Sequence, residues 1–303
     1  MISFPLVSCS NAEKKTSETW EVQESLLKER DSEKGKIEEF SYTTKDYVEN
    51  SGKTEEKKCN VYLPYGYDSS QKYNILYLIH GTDRQDVDHI NTWFETIHAR
   101  VLLDNMIHEK IIDPLIVVAP TFYSYGLYGN DDMKDIKDMS PVKEKSNRNF
   151  IKELRYDIVP NVEKTYSTYS DGIEEQDFRD SRDHRAIAGL SNGCRLTLTA
   201  GMINSFDYFS YYGCYSSYVN SSDVIQALSQ DKFNGLSLNY MFNADGIFDF
   251  AYNKHRKMVD SLLKDGKQWF TSKNTEYVKI TMGYHSARSW RVALYNSLLR
   301  FFK

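Results

Sequence analysis

Two stretches of the chain are apolar almost without interruption, Asn74–Ile79 (NILYLI) and Leu115–Ala119 (LIVVA), and both are bounded by turn residues. Runs of this length fit central strands of a parallel sheet, buried on both faces. Upstream, Ile37–Tyr42 and Lys58–Leu63 alternate apolar and polar positions about a turn containing Asn50, Ser51 and Gly52. That pattern predicts a hairpin at a sheet edge, closed by Pro64, Gly66 and Asp68. Trp93–Ile111 has helix-compatible spacing, and Asn149–Val159 sets Phe150, Leu154 and Ile158 four apart on one face, with Pro160 marking a kink or an end. Beyond these, Arg185–Ala188 reads as a strand and Arg195–Ile203 as a helix. Phe209–Gly213 and Leu238–Asn243 read as strands, Lys254–Leu263 as a helix, Tyr277–Thr281 as the last strand and Ser289–Phe302 as the last helix. Strands alternating with helices predict an α/β fold with a mostly parallel, doubly wound central sheet, helices on both faces and right-handed crossovers.

One region has no period. Thr121–Lys145 is long and irregular and carries Tyr123, Tyr125, Tyr128 and the run Asn130-Asp131-Asp132. It follows a strand at the carboxyl end of the sheet, where open α/β folds bind ligands, so it is expected to form part of a substrate wall. The acids do not have EF-hand spacing.

Composition narrows the picture. The 303 residues fit one α/β domain, placed at residues 37–303, preceded by a tail at 1–36. The run Glu13–Lys36 mixes both signs of charge and reads as solvated, with one helical stretch about Glu21–Arg30. A net charge of -5 leaves no basic stripe, so nucleic acid is not an expected partner. The 23 tyrosines suit strands, and equally suit walls that hold sugars or phenols. Four cysteines without a C-x2-C pair make neither a disulfide scaffold nor a zinc site, and Cys59, Cys194 and Cys214 are expected as buried thiols. No metal site is expected. Cys9 ends the apolar segment that closes Leu6-Val7-Ser8-Cys9, which resembles the lipobox of bacterial lipoproteins. The resemblance implies an exported chain attached to a membrane through a lipid on Cys9, although the segment before it is short and lacks a basic start.

The chemistry centres on Gly189-Leu190-Ser191-Asn192-Gly193. The pentapeptide G-x-S-x-G recurs by chance, but here a strand precedes it and a helix follows. Ser191 is then expected on a tight strand-to-helix turn that presents its hydroxyl above the sheet, as in α/β-hydrolases. A serine hydroxyl needs a base to take its proton. In that fold the chain order is nucleophile, acid, base, which leaves two histidines after Ser191. His255 lies among Asn253-Lys254-His255-Arg256-Lys257 and reads as a solvated helix residue; His285 follows a strand at the carboxyl end of the sheet and is the expected base. The acid is expected after the strand Leu238–Asn243, where Asp245 and Asp249 both stand and position favours Asp245. Oxyanion donors are expected from the N–H of Asn192 and, in the loop His80-Gly81-Thr82-Asp83, from the N–H of Thr82.

With these residues in place the chain resembles carbohydrate esterase family 1, in particular the feruloyl esterase domains attached to bacterial xylanases. The resemblance runs from about Gly35 to Phe302. It is carried by Asn60–Asp68 (NVYLPYGYD), Tyr77–Gly81 (YLIHG), Pro114–Val118 (PLIVV), Pro120-Thr121-Phe122, Val159-Pro160, Tyr166–Tyr169 and Phe206–Phe209. It implies an α/β-hydrolase fold and hydrolysis of hydroxycinnamoyl esters, such as ferulate, on the arabinose side chains of xylan, without cofactor. It also moves the acid from Asp245 to Asp249, through the pattern Asp249-Phe250-Ala251-Tyr252. It sets His285 on the family histidine and Trp290 where many members carry a tryptophan five residues later, beside the substrate or packed in the core. Tyr123 and Tyr125 are expected to contact substrate. Two positions depart from the family: Thr82-Asp83 replaces a glycine-rich oxyanion loop, and Asn192-Gly193-Cys194 replaces Met-Gly-Gly. Neither removes a backbone N–H, but both could reshape the acyl pocket. Acetyl xylan esterases, siderophore esterases and S-formylglutathione hydrolases share the same expected machinery, and a non-catalytic carbohydrate-binding homologue is the reading from another class.

Overall fold

The computed structural model describes residues 21–82, 89–129 and 140–303. Cys9, Asp83 and the acidic run Asn130–Asp132 lie outside the described residues.

The alternating segments pair as the pattern predicts. β1 (Lys36–Lys45) and β2 (Thr54–Leu63) form an antiparallel hairpin in register from Lys36 opposite Leu63 to Lys45 opposite Thr54. The two apolar runs are β3 (Asn74–Ile79) and β4 (Leu115–Pro120). They join β5 (Arg185–Leu190), β6 (Tyr211–Tyr215), β7 (Tyr240–Gly246) and β8 (Thr275–Ile280) in one sheet of order β1-β2-β4-β3-β5-β6-β7-β8. β2 meets β4 antiparallel and every later pair is parallel.

Because the central strands are buried on both faces, their side chains sort by period 2 into two cores. Ile75, Tyr77 and Ile79 of β3 enter one core, and Leu76 and Leu78 enter the other. α1 (Ala99–His108) covers the second core through Leu102, Leu103 and Met106. The unpatterned region holds one helical turn, α2 (Tyr125–Tyr128), and then α3 (Ser140–Glu153) begins. α3 passes through a π-turn at Leu154–Ile158 into α4 (Val159–Thr165), so Phe150, Leu154, Ile158 and Val162 stay on one buried face. Pro160 does not end this path: it stands at the start of α4, directly after the π-turn. Each of those apolar side chains contributes on the order of 1.5–3 kcal/mol by burial.

α5 (Glu175–Asp180), α6 (Asn192–Leu196), α7 (Ser221–Leu228), α8 (Tyr252–Asp265) and α9 (Ala287–Leu298) complete the helices among the described residues. α6, α7 and α8 pack on the first core, and α9 joins α1 on the second. Cys59, Cys194 and Cys214 are buried free thiols, and burial raises the Cys59 thiol to about 12. No helix among the described residues is long and apolar enough to cross a membrane.

Two sequence expectations are corrected here. Residues 21–35, although mostly exposed, are docked on the body and are not a free tail. A short turn at Glu24–Leu27 buries Leu26 in the second core, Asn105 of α1 donates to the Leu26 and Lys28 carbonyls at 3.0 and 2.9 Å, and Asp104 accepts the Gly35 N–H at 2.8 Å. His255 is not a surface residue either: it is fully buried on α8, where it shares a face with Met258, Val259 and Leu262.

Candidate active site

Ser191 is the single residue between β5 and α6, with φ 53° and ψ -119°. A side chain at positive φ is strained, and such strain clusters at functional sites. The flanking glycines make the turn possible by close approach: a Cβ on Gly189 would strike the Gly193 carbonyl, and one on Gly193 would strike the Ile79 and His80 carbonyl oxygens. The Ser191 N–H donates to the Tyr215 carbonyl at 2.8 Å, which ties the turn to β6. Asn192 supplies the first N–H of α6, where no intrahelical partner exists.

Opposite the turn, two loops bring up the remaining groups. His285, on the loop after β8, has Nε2 at 3.1 Å from Ser191 Oγ and Nδ1 at 3.0 and 3.1 Å from the Asp249 carboxylate oxygens. Asp249 stands between β7 and α8 and is buried. Burial pushes its carboxyl upward, but hydrogen bonds from His285, the Ala251 N–H at 2.9 Å and Ser216 outweigh burial and hold it below the usual carboxylate value. A Cβ on Gly246 would run into Gly283, so both loops depend on backbone contact at that pair.

Asp245 is not brought to His285. It belongs to β7 itself, is fully buried, and its Oδ2 accepts the Tyr277 hydroxyl at 2.7 Å with His255 Nδ1 also at 2.7 Å. The sequence-predicted strand ended three residues early, which had set Asp245 in a loop.

The loop expected to supply an oxyanion donor is shaped by His80 and Gly81. His80 is fully buried, and burial together with His89 keeps its imidazole well below the ordinary value, hence neutral. Its Nδ1–H donates to the Gly81 carbonyl at 2.7 Å. Its Nε2 therefore accepts from the Thr121 hydroxyl at 3.0 Å, and that hydroxyl in turn accepts the Tyr123 N–H at 3.2 Å. The Gly81 carbonyl and Thr82 N–H share one trans peptide, so anchoring the carbonyl turns the N–H the opposite way.

The aromatic residues take different places. Tyr123 is buried in a stack with Phe122, His89 and Tyr125, at ring-centre distances of 4.5, 4.6 and 5.0 Å, and supports the His80 loop without forming open surface. Tyr125 is half-buried, with its hydroxyl 3.2 Å from His89 Nε2. Trp290 lies edge-on to His285 at 5.0 Å and donates its indole N–H to Ser216 Oγ at 2.9 Å.

Three groups escaped sequence reasoning. Ser216, at φ 61°, links Trp290 to Asp249. Asn147 of α3 pairs with the Asn192 side chain, accepting its amide N–H at 2.9 Å. Phe248, Phe250 and Tyr284 stand exposed on the two loops that carry Asp249 and His285. Ser216 and Asn147 carry no local motif, and Phe250 enters the sequence reading only inside the pattern that begins at Asp249. Among the described residues, no group of three His, Cys, Asp or Glu side chains is arranged to hold a metal ion.

A mostly parallel eight-stranded sheet with a serine raised on a strained strand-to-helix turn defines an α/β-hydrolase. Residues 52–269 match the family model Esterase, described as "Putative esterase". The chain belongs to this esterase family and is a carboxylic ester hydrolase. It is 34% identical over 217 residues to endo-1,4-beta-xylanase Y of Acetivibrio thermocellus, a match that covers 68% of this chain and 18% of that protein. A feruloyl esterase module from Clostridium thermocellum, solved with sinapinate, superposes with a TM-score of 0.73 at 27% identity, covering 93% of each chain. A CE1 ferulic acid esterase from Anaeromyces mucronatus, solved with ferulic acid, shares the fold with a TM-score of 0.68 at 19% identity, covering 93% of this chain and 96% of that one.

Proposed function

We propose that the chain is a serine feruloyl esterase acting on hydroxycinnamoyl esters of arabinoxylan. The observation that carries this reading is the continuous hydrogen-bonded line from Ser191 Oγ through His285 to Asp249, in a chain whose similar solved structures include feruloyl esterases.

Ser191 Oγ attacks the ester carbonyl while His285 Nε2 takes the hydroxyl proton. Asp249 holds the Nδ1–H tautomer and stabilises the imidazolium formed. The N–H groups of Thr82 and Asn192 receive the charge on the carbonyl oxygen, a contribution of about 3–4 kcal/mol per donor in comparable sites. The tetrahedral centre collapses, the bond to the sugar oxygen breaks, and imidazolium returns its proton to that oxygen. Water, deprotonated by His285, then attacks the acyl-serine and releases the hydroxycinnamic acid and the free Ser191 hydroxyl.

The test begins with a chromogenic short-chain ester. Wild-type protein is expected to cleave it, and Ser191→Ala is expected to lose roughly 10^4-fold or more of kcat. Equal rates for the two proteins would overturn the mechanism. Turnover of methyl ferulate is then compared with that of acetylated xylan, and a strong preference for acetyl esters would overturn the acyl assignment.

A further inference from the structure

The loops that hold Asp249 and His285 carry three of the four most exposed aromatic side chains among the described residues. Phe250 is 78% exposed, Tyr284 55% and Phe248 53%. Ile247 and Met282 beside them are exposed as well. Solvated apolar side chains gathered at one spot are costly unless something covers them. Their positions are held firmly: the Ile247 N–H donates to the Ile280 carbonyl at 3.2 Å and the Phe248 N–H to the Gly283 carbonyl at 3.0 Å. The Phe248 and Tyr284 rings stack at 5.0 Å with 29° between planes, and the Phe250 ring lies 4.4 Å from the His285 ring at 32°.

The direction of the chemistry says what can reach this surface. In acyl transfer from serine, the histidine that takes the hydroxyl proton must return it to the leaving oxygen, so that oxygen sits at His285 Nε2. The carbonyl oxygen points the other way, toward Thr82 and Asn192. The alcohol half of the ester therefore extends along the His285 side of Ser191. Half-buried Trp290 meets that imidazole edge-on, and Phe250, open to solvent, lies against it at 4.4 Å.

We propose that Phe250, with the Phe248–Tyr284 pair behind it, forms a leaving-group subsite on which the sugar rings of the alcohol half stack. This rests on the serine esterase reading above. Flat aromatic faces suit the C–H face of a pyranose or furanose, and the Tyr284 hydroxyl adds a polar handle for a sugar hydroxyl. Selection for the carbohydrate then comes from these two loops, separately from the pocket that takes the acyl group.

The readout is the ratio of kcat/KM for a feruloylated arabino-oligosaccharide to kcat/KM for methyl ferulate, whose leaving group is too small to reach the platform. In Phe250→Ala and in Phe248→Ala/Tyr284→Ala the ratio is expected to fall at least tenfold, whatever happens to methyl ester turnover. Phe250→Tyr should keep the ratio, and Phe250→Leu, apolar but without a ring face, should lose it. Exposed side chains of this kind are replaced with little risk to folding. Ratios within twofold of wild type in every variant would overturn the subsite and leave the esterase mechanism intact, whereas full activity in Ser191→Ala would defeat the mechanism first. Binding separates the two cases: an ester-free arabinoxylan oligosaccharide titrated into Ser191→Ala should bind at least fivefold more tightly than into Ser191→Ala/Phe250→Ala. Equal binding would again reject the subsite. So would loss of a self-associated species in Phe250→Ala with the ester ratio unchanged, since the patch would then belong to a second copy of the chain.

Discussion

His80 has a role that side-chain identity alone would not suggest. On the proposed mechanism it never touches the ester, yet its Nδ1–H grips the Gly81 carbonyl and so aims the Thr82 N–H. His80→Phe should retain the stacking on Phe122 and His89 while freeing that peptide. Its kcat is expected to fall about 100-fold, within the range for losing one oxyanion donor, with a smaller change in KM. His80→Asn, whose amide N–H can take the place of Nδ1–H, should retain more of the rate. Wild-type kcat in His80→Phe would reject the positioning role. At this scale Ser191 and His285 were legible because a pentapeptide and chain order single them out. Asp249 was not legible from position. Two carboxylates four residues apart were both plausible, and only the resemblance separated them. Ser216 and Asn147 left no local signal, because each meets the site through a long-range contact.

Among the elements, the β1–β2 connection is locked by Asp46. Its Oδ1 accepts the Val48 and Glu49 N–H groups at 3.0 and 2.9 Å and the Tyr128 hydroxyl at 2.7 Å, and its Oδ2 accepts the Ser51 hydroxyl at 2.6 Å. Burial pushes the carboxyl up, but these donors more than reverse it and hold the group far below the usual carboxylate range. A depressed native value means that the ionised form stabilises the fold fully above the unfolded value of about 4, and that this contribution fades as pH falls toward the native value. Asp46→Asn is expected to cost about 2 kcal/mol at pH 7, with the deficit shrinking between about pH 5 and pH 2 in denaturant titrations. A pH-independent deficit would contradict the assignment. Element boundaries explain the misplaced residues as well. β7 runs to Gly246, not Asn243, and that shift takes Asp245 out of the loop and into the core. In α8 the spacing His255, Met258, Val259, Leu262 is a buried face by period. Lys254, Arg256 and Lys257 around the histidine disguised it.

For the molecule as a whole, the order of strands and helices was readable, because buried parallel strands must be apolar throughout and their crossovers must be helical. The docking of residues 21–35 was not readable. One buried leucine in a charged run anchors it, and the partners of this segment, Asp104 and Asn105, lie about 70 to 80 residues away in sequence. Removing residues through Lys34 should expose the Leu26 site and strip Asn105 of both carbonyl acceptors. Together these effects are expected to cost about 3 kcal/mol and to lower Tm, with the esterase rate at 25 °C changed far less. An unchanged Tm would show that the segment rests on α1 without supporting it.

The backbone at Ser191 has a consequence for how the fold must be judged. A residue with a side chain sits at φ 53°, so part of the stability gained by two packed cores is spent on one turn. Glycine would occupy that position with less strain, which Ser191→Ala would keep. The most durable form of this architecture is therefore one that has given up its nucleophile. Selection for heat resistance alone, applied without a screen for turnover, would drift toward losing the chemistry before it loosened the sheet.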